Sequence, residues 1–583
     1  SIRHGHPSTL HLWWARRPLA ACRAMLLELL LPDPCDPLCP KEFKVKAREL
    51  LPLLTGTVGS EDMDLRRKLL KFIGDFANWD NSAHPVYLEV GRGLVKAAHP
   101  DETPLVVDPF AGGGSIPLEA LRLGCDAFAS DLNPVACLIL RVMLEDIPRH
   151  GPELAEELCR VGGEIKKQAE KELAEFYPKD PDGATPMAYL WARTVKCESP
   201  NCGAEIPLTR SFWLCKKTNR RRALRHKVLQ SEGSVSSVEF EVFEPESEKE
   251  VSGGTVSRAL ATCLCCGAVL SPERVRAQLS GQRGGADAVF DEKSNRIGGA
   301  RLLAVVTLRP GETGRHYRLP AGHDYQAVCN ARQRLQDILA VWERGGKGNL
   351  YPVPDERLPL ERQKGSSGFR VLLYGMKTFG DLFSARQKVM LVTLAKLVTQ
   401  AQKIHGGTNE SLACAFNRVS MSDMSCTRWN AVAEKMQHTF GRQALPIVWD
   451  FAEVVPIVKA PGNWESGYKL IGDVIAVNAN VSGSGQVHQA NASALPLPAE
   501  SVGVWFTDPP YYDAIAYADL SDFFFVWLKR VLPEHPLLQD PFEPKNPLTP
   551  KTAEAIQDPS RYINGKSKNR AFYEETMSKV FAE

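Results

Sequence analysis

The chain has no long uninterrupted apolar run. Its longest, Leu19 to Leu31, is broken by Arg23 and Glu28. A bilayer-spanning helix needs about 20 apolar residues, so this one is too short and too charged. There is also no surplus of either charge: 71 Lys and Arg stand against 69 Asp and Glu, so any surface for nucleic acid has to be a local patch. Cysteine is too sparse for a disulfide scaffold, 15 in 583 residues. Several cysteines stand in close pairs, which points to metal and to a reducing, cytoplasmic compartment. What remains is ordinary globular composition, 44% hydrophobic and 24% charged, long enough for several domains.

Two strand-turn signals carry chemistry. In the first, Pro104 to Asp108 reads as a short buried strand, Pro109 to Ser115 as a glycine-rich turn, and Ile116 to Leu123 as a helix. Asp126 to Asp131 is a second strand ending in an acid about 20 residues on. Asn133 then caps a helix that has Pro134 at its first position. Glycines let a ligand approach the backbone, and the closing carboxylate takes ribose hydroxyls. The turn is neither G-x-G-x-x-G nor a phosphate loop, and it holds no lysine. A nucleoside cofactor without phosphates fits, and S-adenosylmethionine is the obvious one. The strand end at Asn491 to Pro496, which includes Ser493, is expected to lie over its adenine.

The second signal is Thr507-Asp508-Pro509-Pro510-Tyr511-Tyr512. It follows the apolar run Val502 to Phe506, expected to be a buried strand. Asp508 then sits at a strand's carboxyl end, and the prolines stiffen the turn. The Asp508 carboxylate and the Pro509 carbonyl are two acceptors suited to the two hydrogens of an –NH2 group. Tyr511 offers a face to a flat ring.

Between these signals lie Cys197 and Cys202, then Cys263 and Cys266, each pair followed by Gly. Two such knuckles make a zinc ribbon with four thiolates and no open position, so the metal is structural. Cys265 is the spare, and Cys215 is expected in the core. Lys216, Arg220, Arg221, Arg222 and Arg225 form a basic run with Phe212 and Trp213 nearby. It either contacts phosphates or is neutralised by the acidic run Glu239 to Glu250. Helix 19–31 is expected to be buried nearly all round. Residues 151–176 read as a charged helix, a solvated face or connector. The loop from Ser1 to Pro18, with Trp14, Arg16 and Arg17, reads either as packed by its tryptophans or as the lining of a cleft.

Asp108-Pro-Phe-Ala-Gly-Gly-Gly with Asp508-Pro-Pro-Tyr511 resembles the amino-group DNA methyltransferases. The wider chain is similar to adenine-specific DNA methylases that contain an internal zinc ribbon. Ser1 to Pro18, Asp108 to Pro134, the two Cys knuckles, Tyr374 to Gln387, 442–451 and Asp508 to Tyr517 carry that likeness. The resemblance implies an α/β fold, a class I Rossmann-like methyltransferase sheet interrupted by a long zinc-ribbon and helical insert, and a chain that stops before the last strands. It implies five regions. Residues 1–150 carry the cofactor turn, 151–195 are a helical connector, and 196–330 hold the zinc ribbon. Residues 331–470 are mostly helical and read the target, and 471–583 carry the Asp-Pro-Pro-Tyr turn. Asp108, Phe110, Gly112, Gly114 and Asn133 would shape the S-adenosylmethionine pocket, and Asp131 would hold the ribose. Trp14 and Arg16 would close over the methionine end. Asp508, Pro509, Pro510 and Tyr511 would grip the target base. The implied activity is methylation of adenine N6 in DNA, with restriction–modification or phage-defence subunits as partners. Alternatives are an RNA amino-group methyltransferase and an inactive zinc-ribbon subunit that binds nucleic acid.

Overall fold

Chain order begins with a loop and a helix that carry a buried charge. The computed structural model describes residues 5–230, 236–346, 350–359, 368–441, 443–498, 500–563 and 565–582. Residues 1–4 and 442, which belong to the stretches carrying the resemblance, lie outside them. Helix α1 (Leu19–Leu30) buries Leu26, Leu27 and Leu30, but Met25 and Leu29 are exposed, so burial nearly all round does not hold. The helix packs one face on its neighbours, and its outer face stays in water. On the packed face Arg23 is fully buried and donates to Glu119 at 2.6 Å.

Strand β1 (Leu105–Asp108), helix α2 (Ser115–Arg122), strand β2 (Asp126–Asp131) and helix α3 (Pro134–Arg141) follow as expected. Asn133 caps α3 by accepting from Val135 N at 3.0 Å. Helix α4 (Glu153–Leu173) is not the solvated connector expected of it. Leu154, Leu158, Val161, Ile165 and Leu173 form a buried stripe, which a count of charges hides.

The long middle region is built on β3 (Thr185–Lys196), buried along most of its length. It pairs antiparallel with β4 (Glu205–Leu208), β5 (Arg301–Leu308) and β7 (Asp450–Val454), and β6 (His316–Arg318) extends the far side of β5. Helices α5 (Ala385–Gln402) and α6 (Asn409–Ser422) pack on each other and on α4, with α7 (Trp464–Asn478) also against α4. Trp464 of α7 donates to the Gly162 carbonyl of α4 at 2.8 Å. Helix α7 runs through the boundary expected at 470.

The chain then returns to β1. Strands β8 (Gly485–Gln489) and β9 (Val504–Trp505) complete a parallel sheet in the order β8-β2-β1-β9. Strand β9 is shorter than expected and only half-buried, with Trp505 37% exposed. Among the described residues it pairs with β1 alone. Helix α8 (Tyr517–Val531) is buried along almost its whole length, and helix α9 (Arg570–Ala582) ends the described chain. Among the described residues no helix is long and apolar enough to cross a membrane.

Candidate active site and metal centre

The parallel sheet has a switch point. From β1 the chain moves to β2 on one side, and β9 lies on the other. Open α/β sheets bind ligands beyond the carboxyl ends of strands at such a point. A cleft lies there, lined by Asp108 from β1, Asp131 and Asn133 after β2, Asn491 after β8, and Asp508 and Pro510 after β9.

Local bonds fix the strand-end acids. Asp131 accepts from Gly112 N at 3.0 Å and Asn133 N at 2.8 Å. Burial nevertheless lifts its pKa to about 6. Asp108 accepts from Thr507 Oγ1 at 2.7 Å and Phe110 N at 3.2 Å. Burial lifts it to about 7. The Thr507 bond ties the end of β1 to the residue before Asp508, so one hydroxyl registers the two halves of the site. Gly112 and Gly114 both have left-handed backbones. A side chain at Gly112 would strike the Trp13 indole at the cleft, whereas one at Gly114 would strike Met143 and Leu140. Gly114 therefore serves packing and is not part of the lining.

Several of the residues expected to line the cleft give way to near neighbours in the chain. Trp13, not Trp14, lines the cleft and stacks on Tyr517 with 5.6 Å between ring centroids. Trp14 faces Phe440 and Phe524 and anchors the loop. Arg16 lines the cleft and donates to the carbonyls of Gly113 and His11, tying the loop to the glycine turn. His11 is buried, bonded to Asn417 at 2.9 Å, and pushed down to about 3 by desolvation. Ser493 does not line the cleft. Its N–H and hydroxyl turn back to Asn491 Oδ1, and Asn491 and Ala492 are the wall residues there.

The Asp-Pro-Pro-Tyr turn already has an occupant. Arg17 donates to both Asp508 carboxylate oxygens and to the Tyr511 hydroxyl. Its guanidinium also lies over the Tyr511 ring, 5.5 Å from the centroid. Tyr511 in turn donates to Asp508 at 2.8 Å. The N–H donors that Asp508 meets here belong to the protein. Pro509 is not part of the wall. The Pro510 carbonyl accepts from Tyr573 of α9 at 2.5 Å, and Tyr512 packs on the same Tyr573 ring at 4.4 Å. Helix α9 therefore braces the turn, and Thr576 and Val580 of that helix close the cleft. Trp13 and Arg17 were read in the sequence only as members of a loop that packs or lines a cleft, with no partner named for either, and Tyr517 and Tyr573 were not singled out.

The four expected thiols meet. The sulfurs of Cys197, Cys202, Cys263 and Cys266 all lie within 4.8 Å of one another. Cys197 and Cys266 are 3.6 Å apart, and Cys202 and Cys263 3.7 Å. Tetrahedral zinc with Zn–S of about 2.3 Å sets sulfurs about 3.8 Å apart, so the set fits that ion. Cys265 is outside the quartet, and Cys215 is buried.

The basic run folds onto the antiparallel sheet Trp213–Cys215, Arg222–Leu229 and Ser237–Phe243. Arg222 pairs with Glu244 at 2.8 Å and Arg225 with Glu241 at 3.0 Å. Arg220 and Lys217 both reach Glu434, at 2.8 and 2.7 Å. Arg221 donates to the Glu246 carbonyl, and Lys216 sits over the Trp213 ring. Of the two readings of this run, neutralisation by nearby acids is the one the geometry displays.

Fold and sites together define a mixed α/β protein with a cleft at a parallel-sheet switch point and a separate four-thiolate centre. Residues 1–50 match a family model described as a protein of unknown function, DUF1156. That stretch contains Trp13, Arg16, Arg17 and α1. No curated protein and no solved structure matches the chain.

Proposed function

We propose that the chain is an S-adenosylmethionine-dependent DNA methyltransferase acting on the exocyclic N6 amine of adenine. The observation that carries this is the shared cleft: the glycine turn, the Asp131 carboxylate and the Asp508 turn line one cavity at one sheet edge. Bound there, S-adenosylmethionine would supply an electrophilic methyl group. Asp131 would take the ribose hydroxyls, with Asn491 and Ala492 beside the purine.

The protein's own part is to bind and orient an amine. An aryl amine is a weak nucleophile because its lone pair is delocalised into the ring. Asp508 would accept one N–H, raising electron density on nitrogen, and Tyr511 would stack on a base swung out of its helix. Arg17 donates N–H groups to both Asp508 oxygens, which supports a reading of that carboxylate as an acceptor for N–H donors. For an amine to enter, Arg17 has to release Asp508. Rate then comes mostly from positioning. Zinc at the four thiolates would brace the ribbon and take no part in transfer.

The test is incubation of the protein with methyl-labelled S-adenosylmethionine and either DNA or tRNA, followed by digestion to nucleosides. Label in N6-methyladenine from DNA is expected. Label confined to RNA would move the substrate assignment to RNA, and cofactor binding without transfer to either would favour a binding subunit.

A further inference from the structure

The wall of the cleft beyond β8 carries one amide whose donor end has no partner among the described residues. Strand β8 ends at Gln489, which pairs with Asp131 of β2, and the Ala490 N–H then donates to the Asp131 carbonyl at 3.2 Å. The next residue, Asn491, therefore enters the cleft wall beside the acid that ends β2. Leu132, Ala490 and Ala492 around it are apolar. Asn133 also lines the cleft, but its amide is spent: Oδ1 accepts from the Val135 N–H at 3.0 Å, and Nδ2 donates to Ser521 Oγ at 2.6 Å.

The Asn491 amide has only one way round. Its Oδ1 accepts from the Ser493 N–H at 3.1 Å and from the Ser493 hydroxyl at 3.0 Å. A backbone N–H can only donate, so the atom that faces Ser493 has to be the oxygen. The NH2 end is thereby turned away from Ser493, and no group of the protein accepts from it among the described residues. Nor is it sealed in, because Asn491 keeps partial exposure on the cavity wall.

The chemistry of that end limits what it can read. An amide NH2 donates and does not accept, so its match on a flat base is a ring nitrogen or a carbonyl oxygen, not an amine. Adenine has no carbonyl, but N1, N3 and N7 are acceptors. We propose that Asn491 is a specificity-determining residue whose amide N–H donates to a ring nitrogen of the cofactor's purine. This rests on the reading of the cleft as a sulfonium-nucleoside site with the ribose at Asp131. A carboxylate in the same place would have the opposite preference, for the purine's exocyclic amine.

Titration calorimetry on the whole chain tests this with S-adenosylhomocysteine and its 1-deaza, 3-deaza and 7-deaza analogues, each of which exchanges one ring nitrogen for C–H. One analogue should bind the wild type about tenfold more weakly than the parent, because the N–H then faces a C–H, and the other two should stay within about twofold. Asn491→Ala should weaken the parent by about the same factor and abolish the difference for that analogue. Asn491→Asp keeps an acceptor for both Ser493 donors, and so keeps the turn, but should weaken the parent by about tenfold or more by setting a carboxylate against the ring nitrogen. Three results overturn the proposal: no analogue singled out, a singled-out loss that persists in Asn491→Ala, or parent binding that is unchanged or tighter in Asn491→Asp. Should Asn491→Ala bind none of the four, the Asn491→Asp result decides. Failure of the wild-type chain to bind the parent would instead sink the cofactor reading on which the proposal rests.

Discussion

The cleft and the middle region both bury charge, but they settle it differently. In the middle region Arg386, Glu453 and Arg193 are each bonded on several sides by groups of the protein itself. Arg386 and Glu453 are buried and bonded at 2.7 and 2.9 Å, with Trp191 Nε1 adding a third bond to Glu453 at 2.8 Å. Arg193 is fully buried and spends itself on the carbonyls of Val448, Ser425 and Gly284. In the cleft, by contrast, Asp508 is held by an arginine from the N-terminal loop that is 42% exposed. Closed charge networks specify a fold. Open or borrowed ones leave room for a ligand.

The sharpest way to break this comparison is at Asp508. Asp508→Ala should lower methyl transfer by about a thousandfold or more, because it removes an acceptor that works at the reacting nitrogen. Cofactor affinity should stay within about twofold, as read by calorimetry. Loss of both would make Asp508 a closed charge like Glu453, part of the scaffold.

The converse substitution is Glu453→Gln. Breaking one partner of a buried ion pair costs about 3–5 kcal/mol, which urea unfolding measures. Here a neighbour modifies the outcome. Asp423 is buried beside the pair, and burial together with the Glu453 charge raises its pKa well above the carboxylate range. A carboxyl raised in the folded state stabilises it fully below its unfolded pKa of about 4 and loses that contribution as pH rises through the folded value. Wild-type stability should therefore decline from pH 4 toward pH 8, and Asp423→Asn should flatten the slope. With Glu453 neutralised, Asp423 can ionise and face Arg386, so Glu453→Gln should cost less at pH 8 than at pH 5. A pH-independent cost would mean that Asp423 does not serve as a reserve partner.

How far the sequence reveals each region follows from the same distinction. Local patterns were legible: the glycine turn between β1 and β2, the Asn133 cap and the two knuckles each fall within a few residues, and their geometry is set by neighbours in the chain. The four-thiolate centre was also legible across a gap of about 60 residues, because thiolates have few other reasons to come in pairs. Pairings across the whole chain were not. Arg17 and Asp508 are 491 residues apart, and nothing local to either names the other. Burial of β9 was not legible for a related reason: among the described residues the strand is paired on one side only, which the apolar run Val502 to Phe506 cannot show. The stripe on α4 was lost among its charges, although its buried positions keep helical spacing.

A smaller effect is expected at Arg17. On the proposed function its guanidinium would compete for the carboxylate that an amine needs, and the competent form of the site would be only a fraction of the molecules until the arginine leaves. Arg17→Ala should raise transfer to a short single-stranded acceptor by about three- to tenfold, with cofactor affinity unchanged. Arg17→Lys, which keeps the charge but not the fork, should fall between. If both variants lose transfer, Arg17 orients Asp508 rather than obstructing it.

The least effect is expected where the sequence looked most suited to nucleic acid. Arg222 and Arg225 are partly exposed and already paired with Glu244 and Glu241 across one small sheet. A phosphate would have to displace those carboxylates, and exposed pairs of this kind contribute only about 0–1 kcal/mol to stability. Arg222→Ala with Arg225→Ala should therefore change unfolding by less than about 1 kcal/mol. It should also leave the salt dependence of DNA binding nearly unaltered, since each phosphate contact adds about 0.9 to the slope of log affinity against log salt. A fall in that slope of about 2 would show that the hairpin gives up its acids for phosphates. The contrast with the cleft would then narrow, because paired arginines would also count as open charge.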